Sequence, residues 1–209
     1  MKKALIVQGG WDGHEPKPVS QILAKALRAN GVKVTVSDTL DAFKDPKLMK
    51  DLDLIVPIWT MGDIAGDQLA GMLDAVQNGC GIAGVHGGMG DAFRLQTEYQ
   101  YMCGGQWVAH PGGIVTYGVH IVDPWNPLTA GIEDFEITSE QYFMHVDPGN
   151  VVLATTHFGH TVMPVVWLKR YGKGRVYYCS LGHVAADMKL PPVLELVTRG
   201  MLWAAEGDG

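Results

Sequence analysis

CGIAGVHGG, residues Cys80–Gly88, is an apolar strand that runs into a turn made largely of glycine. The frame Gly84-x-His86-x-Gly88 has the spacing of a nucleophile elbow, in which small flanking residues allow the central residue a strained turn. In an open parallel sheet, such a turn lies at the carboxyl end of a strand, beside the crevice where ligands bind. The segment therefore predicts a parallel α/β sheet with a functional site at His86.

Strands and helices alternate around this segment. In the first half we predict strands at 3–8, 32–36, 52–58 and 81–85, and helices at 20–29 and 67–78. This alternation indicates a parallel sheet with helices on both faces. In the second half we predict strands at 113–122, 133–140, 151–156, 161–169 and 175–180, and a closing helix at 191–205. The predicted fold class is an α/β three-layer sandwich with a mostly parallel sheet and a β-rich excursion in its second half.

Length and composition restrict the class of protein. The 209 residues fit one domain, and 47% hydrophobic with 18% charged residues exclude a disordered or fibrous chain. The net charge is −6, and no basic run exceeds the pairs Lys2-Lys3 and Lys169-Arg170. Because nucleic-acid binding needs a basic stripe, we expect no nucleic-acid partner.

Cysteine content and hydropathy predict a cytoplasmic protein that does not enter a membrane. Cys80, Cys103 and Cys179 are odd in number and widely spaced, which fits a reducing compartment better than a disulfide framework. The apolar run Ala4–Val7 is too short for a signal peptide. No apolar stretch approaches the roughly 20 residues of a membrane span.

Histidines are the main chemical candidates, since the chain contains eight. His86 and His183 each follow a predicted strand, so a parallel sheet would bring both to one edge. His86 suits an acid, a base or a metal ligand, and the alternative is a histidine packed in a glycine turn. His110 lies in the loop Ala109-His110-Pro111-Gly112, where it is either a site residue or a turn residue.

A carboxylate and a phenol lie two residues apart in Ser139-Glu140-Gln141-Tyr142. On a strand, Glu140 and Tyr142 would point to one face and could form an acid/base pair or a clamp for sugar hydroxyls. The alternative is a solvated strand edge. The predicted catalytic residues are His86, His183, Glu140 and Tyr142.

Further polar and aromatic side chains are candidates for substrate binding. Aromatic faces stack on the C–H faces of sugar rings, although core filling explains some aromatic residues equally well. His157, at a predicted turn with His160, has only the weak metal signal of a lone His-x-x-His pair. The predicted substrate-binding residues are His110, His157, Trp11, Trp59, Glu98, Trp107 and Asp123.

Other familiar sites are excluded by their motifs. Neither GxGxxG nor GxxxxGK[ST] occurs, so a dinucleotide site and a P-loop are excluded, and the loop Gly9–His14 resembles a nucleotide loop only superficially. No serine occupies a nucleophile-type turn, and Cys80 and Cys179 are not presented as nucleophiles.

Four motifs together resemble the trehalose-utilisation (ThuA-like) family. They are Gly84-Val85-His86-Gly87-Gly88, Gly104-Gly105-Gln106-Trp107-x-x-His110-Pro111, Ser139-Glu140-Gln141-Tyr142, and the block from Pro164 to His183. The last block is the most specific, and the resemblance covers most of the chain. It implies a single ThuA-like domain over residues 1–209 with the fold of class I glutamine amidotransferases, which is a flavodoxin-like sheet.

The same resemblance implies an altered active site. In amidotransferases the elbow holds a catalytic cysteine, and a glutamate stands two residues after a later histidine. Here His86 occupies the elbow and Ala185 occupies the glutamate position, so glutamine hydrolysis by a thiolate is excluded. The stretch Thr97–Tyr101 also departs from the more tryptophan-rich loop of the family.

A carbohydrate substrate is implied by the resemblance, in the form of a 3-keto disaccharide or glucoside. Such a sugar has acidic protons beside its carbonyl, which His86 or His183 would remove while Glu140 or Tyr142 donates a proton. This scheme needs no cofactor. In a second version, His86, His110 and His183 or Glu140 bind a divalent metal such as Zn²⁺.

The competing hypothesis is a non-catalytic sugar-binding or regulatory protein with a degenerate amidotransferase site. Product formation from 3-keto glucosides separates the two hypotheses. In both, the expected partner is a small carbohydrate, and we expect a homodimer.

Overall fold

The computed structural model describes residues 1–207, and the first half of the chain alternates strands with helices. Its elements are β1 (Lys3–Gly10), α1 (Pro16–Ala29), β2 (Lys33–Ser37), α2 (Pro46–Lys50), β3 (Leu54–Thr60), α3 (Gly66–Gln77), β4 (Gly81–Val85), α4 (His86–Gly90) and α5 (Thr97–Cys103). The second half is rich in strands and closes with a helix. Its elements are β5 (Gly105–Ala109), β6 (Ile114–Ile121), β7 (Phe135–Glu140), β8 (Phe143–Val146), β9 (Val151–Phe158), β10 (Thr161–Tyr171), β11 (Gly174–Cys179) and α6 (Pro191–Glu206). Short 3-10 helices span Asp12–His14, Leu40–Lys44 and Asp187–Lys189.

Nine strands form one mixed sheet in the order β2-β1-β3-β4-β11-β10-β9-β6-β7. The pairs from β2 to β11 are parallel, and those from β11 to β7 are antiparallel. Strands β5 and β8 form a separate antiparallel pair. The predicted mixed α/β fold, with a parallel region and a β-rich second half, is confirmed.

Both faces of the parallel region are buried, which explains why its strands are continuous apolar runs. Along β1, Ile6 packs into the core under α1 and α6, whereas its neighbour Leu5 packs into the core under α3 and α5. Successive side chains of a strand point to opposite faces, so two cores require apolar residues at every position.

The differences from the predicted elements have local causes. Helix α1 begins at Pro16, four residues earlier than predicted, because proline is well suited to the first turn of a helix. Strands β5 and β8 and helix α5 were not predicted, since their sequences show no clear period. His157 belongs to β9 rather than to the turn that follows.

The carboxyl ends of the parallel strands all lie at one end of the sheet. The segments that leave β1, β4 and β11 there carry His14, His86 and His183. No helix within residues 1–207 is both long and apolar enough to cross a membrane.

Gly200 tests how tightly α6 packs on the sheet. A Cβ at Gly200 would lie 2.3 Å from the ring of Tyr177, which is fully buried and held by a hydrogen bond from its hydroxyl to the Leu196 carbonyl. Overpacking costs about 1–3 kcal/mol, which exceeds the gain of up to about 1 kcal/mol from alanine in a helix. We expect Gly200→Ala to lower the free energy of unfolding by about 1–2 kcal/mol in urea denaturation.

Gly66→Ala is the matched control, because a Cβ at Gly66 meets nothing within 4 Å. Its effect should stay within about 0.5 kcal/mol of the wild type. Equal stability of the Gly200→Ala variant and the wild type would contradict this account of the packing.

Candidate functional site

The turn after β4 forces His86 into an unusual backbone conformation. Its φ is 43°, in the left-handed region, and its side chain is 2% exposed. Glycine is required next to it, because a Cβ at Gly87 would lie 2.5 Å from the His14 ring. The Tyr178 hydroxyl donates to the His86 carbonyl at 2.9 Å, and this hydrogen bond stabilises the turn. The predicted elbow is therefore present, and it aims the imidazole into the protein.

Three groups fix the His86 ring. Its Nδ1 lies 2.8 Å from the Ser180 carbonyl oxygen, and its Nε2 lies 3.1 Å from Glu140 Oε2. The Tyr142 ring stacks on it with centroids 3.9 Å apart and planes at 28°. The ring has little freedom to reorient.

Glu140 is the centre of the site. Its Oε2 lies 3.6 Å from His14 Nε2, 3.1 Å from His86 Nε2 and 3.2 Å from His183 Nδ1. The four ligand atoms all lie within 4.8 Å of one another. On the other side, Oε1 lies 3.8 Å from His110 Nδ1. This arrangement of three imidazoles and a carboxylate is a candidate metal site.

His14 belongs to this site although the sequence-based prediction did not include it. It lies in the 3-10 helix after β1, and its Nδ1 is 2.8 Å from the Thr60 hydroxyl, at the end of β3. Its ring centroid is 4.7 Å from that of His86 and 5.0 Å from that of His183. The missed signal was its position after a parallel strand, the same rule that identified His86.

Burial and the neighbouring imidazoles set the charges of the site. Burial lowers the pKa of His86 to about 4, although its hydrogen bond with Glu140 opposes the shift. Burial also raises the pKa of Glu140, but contacts with His14, His183 and His86 outweigh it and leave that pKa below its usual range. The pKa of Tyr142 is well above 10, chiefly because of burial. At neutral pH, Glu140 is therefore ionised and Tyr142 keeps its proton.

The hydrogen bonds of His86 create a conflict that a cation resolves. A carbonyl oxygen only accepts, so His86 donates its N–H from Nδ1 to Ser180. The neutral ring then turns the lone pair of Nε2 towards the Glu140 carboxylate, which also has only lone pairs. A pKa near 4 leaves no proton between them at neutral pH. A metal ion would satisfy both groups.

Two further carboxylates connect the segments that carry the site. The Ser139 hydroxyl donates to Asp187 at 2.5 Å, which joins the end of β7 to the loop after His183. The Ala185 N–H donates to Glu15 at 2.8 Å, which joins the same loop to the segment of His14. Asp187 is buried. These bonds hold the loop of His183 against its neighbours.

Three of the predicted binding residues lie beside the cluster. Trp11 makes an edge contact with His14 at 4.8 Å between centroids. The Trp107 ring lies 5.7 Å from His110 and 6.2 Å from Tyr142. These side chains form part of the surroundings through which a ligand would reach Glu140.

The structure does not bring the other four binding candidates to the cluster. His157 is exposed and its ring packs against His120, with centroids 5.3 Å apart. Asp123 accepts from the Trp125 N–H as part of a turn, and Glu98 is exposed on α5. Trp59 packs over Gly9 within the sheet. A substrate-binding role for these residues has no support in their contacts.

The pairing expected for Glu140 and Tyr142 also needs correction. Strand β7 ends at Glu140, so Tyr142 does not follow it at the next position on the same strand face. The two side chains nevertheless meet at His86. Glu140 Oε2 lies 3.1 Å from its Nε2, and Tyr142 stacks on its ring.

A cavity of about 1000 Å³ lies at the other end of the parallel strands, near the start of β1, β3 and β4. Lysines and carboxylates line it, and some of them pair with each other, as Lys2 does with Asp53 at 3.0 Å. It is remote from the histidine cluster and does not form part of the candidate site.

Residues 3–204 match the family model described as ThuA, trehalose utilisation. The chain belongs to the ThuA family. This membership supports a role related to trehalose utilisation. A search of curated proteins gives no match.

Solved structures share the fold at low sequence identity. A ThuA-like protein from Parabacteroides merdae is 20% identical with a TM-score of 0.77, over 98% of this chain and 90% of that chain. One from Bacteroides uniformis is 15% identical with a TM-score of 0.82, over 97% and 91%. A β-galactosidase from Rahnella sp. R3 is 19% identical with a TM-score of 0.62, over 86% of this chain but 28% of its own. These likenesses support the ThuA-like α/β fold.

The shifted pKa of His86 predicts acid sensitivity of the chelator-treated protein. Between pH 6.5 and about 4, the unfolded chain binds a proton at this residue that the folded chain does not bind. The free energy of unfolding should therefore fall as the pH falls through this window. In His86→Asn, which removes the titrating group, Tm should fall less between pH 7 and pH 5. Equal losses of Tm in both proteins would show that His86 does not titrate in this way.

Proposed function

We propose that this ThuA-family chain is an enzyme that acts on a 3-keto disaccharide or glucoside by acid–base chemistry, with a divalent cation such as Zn²⁺ at Glu140. The observation that carries the proposal is the convergence of His14, His86 and His183 on one oxygen of Glu140. The family's link with trehalose utilisation supports a carbohydrate as the substrate class.

The distances from Glu140 Oε2 to the three nitrogens suit a metal, and the most widely separated of the four ligand atoms, which lie within 4.8 Å of one another, would move closer together around an ion. Zinc binds nitrogen and oxygen at about 2.0–2.2 Å, so neighbouring ligands of a tetrahedral ion lie about 3.4 Å apart. The three nitrogens lie 3.1–3.6 Å from Glu140 Oε2. His86 also has the outer hydrogen bond that typically orients a metal-binding imidazole, to Ser180, and the Thr60 hydroxyl is similarly placed for His14.

A cation at this position would polarise a carbonyl or hydroxyl oxygen of the sugar. In that case His86 and His183, the bases expected from the sequence, are ligands rather than bases. His110 is the better base, because its side chain is 37% exposed and its Nδ1 lies 3.8 Å from Glu140 Oε1. The exposed part of its ring leaves it accessible to substrate.

The proton donor is Tyr142 rather than Glu140. The pKa of Glu140 lies below its usual range, so this group carries no proton to give at neutral pH. The pKa of Tyr142 lies well above 10, so its phenol is protonated. We therefore assign Glu140 to cation binding and Tyr142 to proton donation.

The reaction is a β-elimination, in which the sugar loses the proton on C2 and the glycosidic oxygen on C1. His110 takes the proton from C2 of the 3-keto sugar, and the electron pair moves towards the C3 carbonyl oxygen. Collapse of this enolate forms a C1–C2 double bond, breaks the bond from C1 to the glycosidic oxygen and releases an alcohol that takes the proton of Tyr142. No electrons are exchanged with a redox cofactor, so neither flavin nor nicotinamide is needed.

We also assign the parallel region to the flavodoxin-like, class I amidotransferase-like three-layer sandwich. Its strand order, β2-β1-β3-β4-β11, corresponds to the flavodoxin order 2-1-3-4-5, and α1 and α6 pack on one face while α3 and α5 pack on the other. This order supports the finer fold assignment.

A cytoplasmic location has separate support. Cys80, Cys103 and Cys179 are all buried and unpaired, as expected of thiols in a reducing compartment. A structural neighbour from Salmonella typhimurium, 14% identical with a TM-score of 0.67 over the full length of both chains, is described as a cytoplasmic protein.

Metal content tests the cation site directly. Elemental analysis of the purified chain should find about one divalent ion per molecule, and the Glu140→Gln and His183→Ala variants should lose most of it, because each loses one of four ligands. His160→Ala is the matched control, since this exposed histidine lies in the turn after β9. Metal-free wild type, or full occupancy in Glu140→Gln, would contradict the site.

Turnover tests the reaction. His110→Ala should lower the release of alcohol from a panel of 3-keto glucosides by at least about 100-fold, the usual contribution of one acid–base group. His86→Asn should lower it as well, because it removes a ligand of the cation. His160→Ala should keep wild-type activity. Binding of these sugars without any turnover would favour the non-catalytic sugar-binding protein.

A further inference from the structure

We infer that Arg94 and Trp107 form a second subsite, which binds the sugar unit next to the reacting one in an uncharged disaccharide. This inference rests on the proposed function and specifies its substrate class. Arg94 did not figure among the residues predicted from the sequence, because it lies between α4 and the unpredicted helix α5.

Arg94 is held in place for recognition. Its Nε and Nη2 donate to the two oxygens of Asp91 at 2.6 and 2.8 Å, and Asp91 is 4% exposed. The guanidinium carbon lies 4.6 Å from the centroid of the Trp107 ring. The Arg94 side chain is 47% exposed, so its remaining N–H groups face outward. Because Asp91 and Trp107 already hold the guanidinium in place, Arg94 loses little conformational entropy when it binds a ligand.

Two neighbouring nitrogens lack hydrogen-bond partners, and one of them is a further donor. Trp107 Nε1 is shielded from solvent and makes no hydrogen bond, and an indole N–H can only donate. His110 Nδ1 is also shielded without a hydrogen-bond partner. Because a buried donor without an acceptor costs about 1–3 kcal/mol, a ligand rich in acceptor oxygens fits here.

The contacts of Trp107 determine how it would recognise that ligand. Arg94 covers one face of the indole, so the ring offers its N–H edge rather than that face. The stacking on a sugar face expected for Trp107 is therefore replaced by hydrogen bonding to a hydroxyl oxygen.

The charges favour an uncharged ligand. Asp91 balances Arg94 within a bidentate pair, and ionised Glu140 lies beyond Tyr142 and His110. A carboxylate or phosphate on the sugar would meet Asp91 and Glu140 as like charges, whereas hydroxyl oxygens would not.

The position of the subsite assigns it to the neighbouring sugar unit. The Tyr142 ring lies between, 3.9 Å from the His86 ring and 6.2 Å from the Trp107 ring. Arg94 has no contact with His14, His86 or His183 among those of residues 1–207. The unit held by Arg94 is therefore adjacent to the one that meets Glu140.

The experiment is titration calorimetry of the metal-loaded protein with 3-ketotrehalose and with 3-ketoglucose. Arg94→Met removes the fork, and Trp107→Phe removes only the indole N–H while keeping a ring for Arg94. Each variant should weaken binding of the disaccharide about tenfold, the loss of one charge-assisted or buried hydrogen bond, and leave 3-ketoglucose within about twofold. Arg28→Met, on the exposed end of α1, is the control and should bind both sugars as the wild type does.

The outcomes separate this inference from the proposed function. Unchanged disaccharide binding in Trp107→Phe and in Arg94→Met overturns the subsite, and equal losses for both sugars overturn its assignment to the neighbouring unit. A 3-keto disaccharide that carries a glucuronic acid unit is titrated in parallel, and a loss in Arg94→Met that occurs only with this sugar overturns the uncharged class. If Arg94→Met does not fold, Trp107→Phe decides the question. Wild type that binds neither sugar overturns the proposed function itself.

Discussion

The site depends on how the negative charge of one buried carboxylate is stabilised. Glu140 is buried, and its Oε2 faces three imidazole nitrogens. A buried carboxylate remains ionised only if hydrogen-bond donors or cations offset the free energy of the hydration that it has lost. His86 cannot be the sole donor, because its N–H is committed to the Ser180 carbonyl. Glu140 therefore needs an N–H from His14 or His183, or a cation such as the one proposed above, to stay ionised at this position.

The rest of the fold holds Glu140 and the three imidazoles close together. Each of the three imidazoles belongs to a segment that is held by partners outside the cluster. His86 is supported by Tyr178 and Ser180, and His14 by Thr60. The loop of His183 is held by Asp187 and Glu15. Because these supports come from different strands and loops, the cluster depends on the complete sheet rather than on any one motif.

The sequence predicted the parts of this site that obey the geometry of parallel strands. His86 and His183 follow strands whose carboxyl ends share an edge, and their ring centroids lie 5.2 Å apart. His14 obeys the same rule but was not predicted, because it is the last residue of a 3-10 helix and does not follow β1 directly.

The remaining parts depend on contacts that no local pattern encodes. Glu140 was predicted as a site residue from its carboxylate and its neighbour Tyr142, but its position was not. It reaches the site at the end of β7, the edge strand of the antiparallel region, and nothing in its sequence fixes where that strand lies. Arg94 and Trp107 meet through the short pair β5 and β8, whose residues have no clear period. Asp123 and Glu98 carried suitable chemistry, but position depends on tertiary structure rather than on residue type.

The elbow differs from the cysteine elbow that the resemblance to amidotransferases implies. A left-handed non-glycine residue costs about 1–3 kcal/mol, and it persists only where the surroundings impose it. In a thiol enzyme this strain would present a nucleophile to substrate, whereas here it aims an imidazole at Glu140. The position of the third triad member holds Ala185, and the carboxylate that reaches it is Glu15, which accepts from its backbone N–H. A carboxylate that accepts from a backbone N–H orients a loop and does not polarise a histidine, so Glu15 holds the loop of His183 in place.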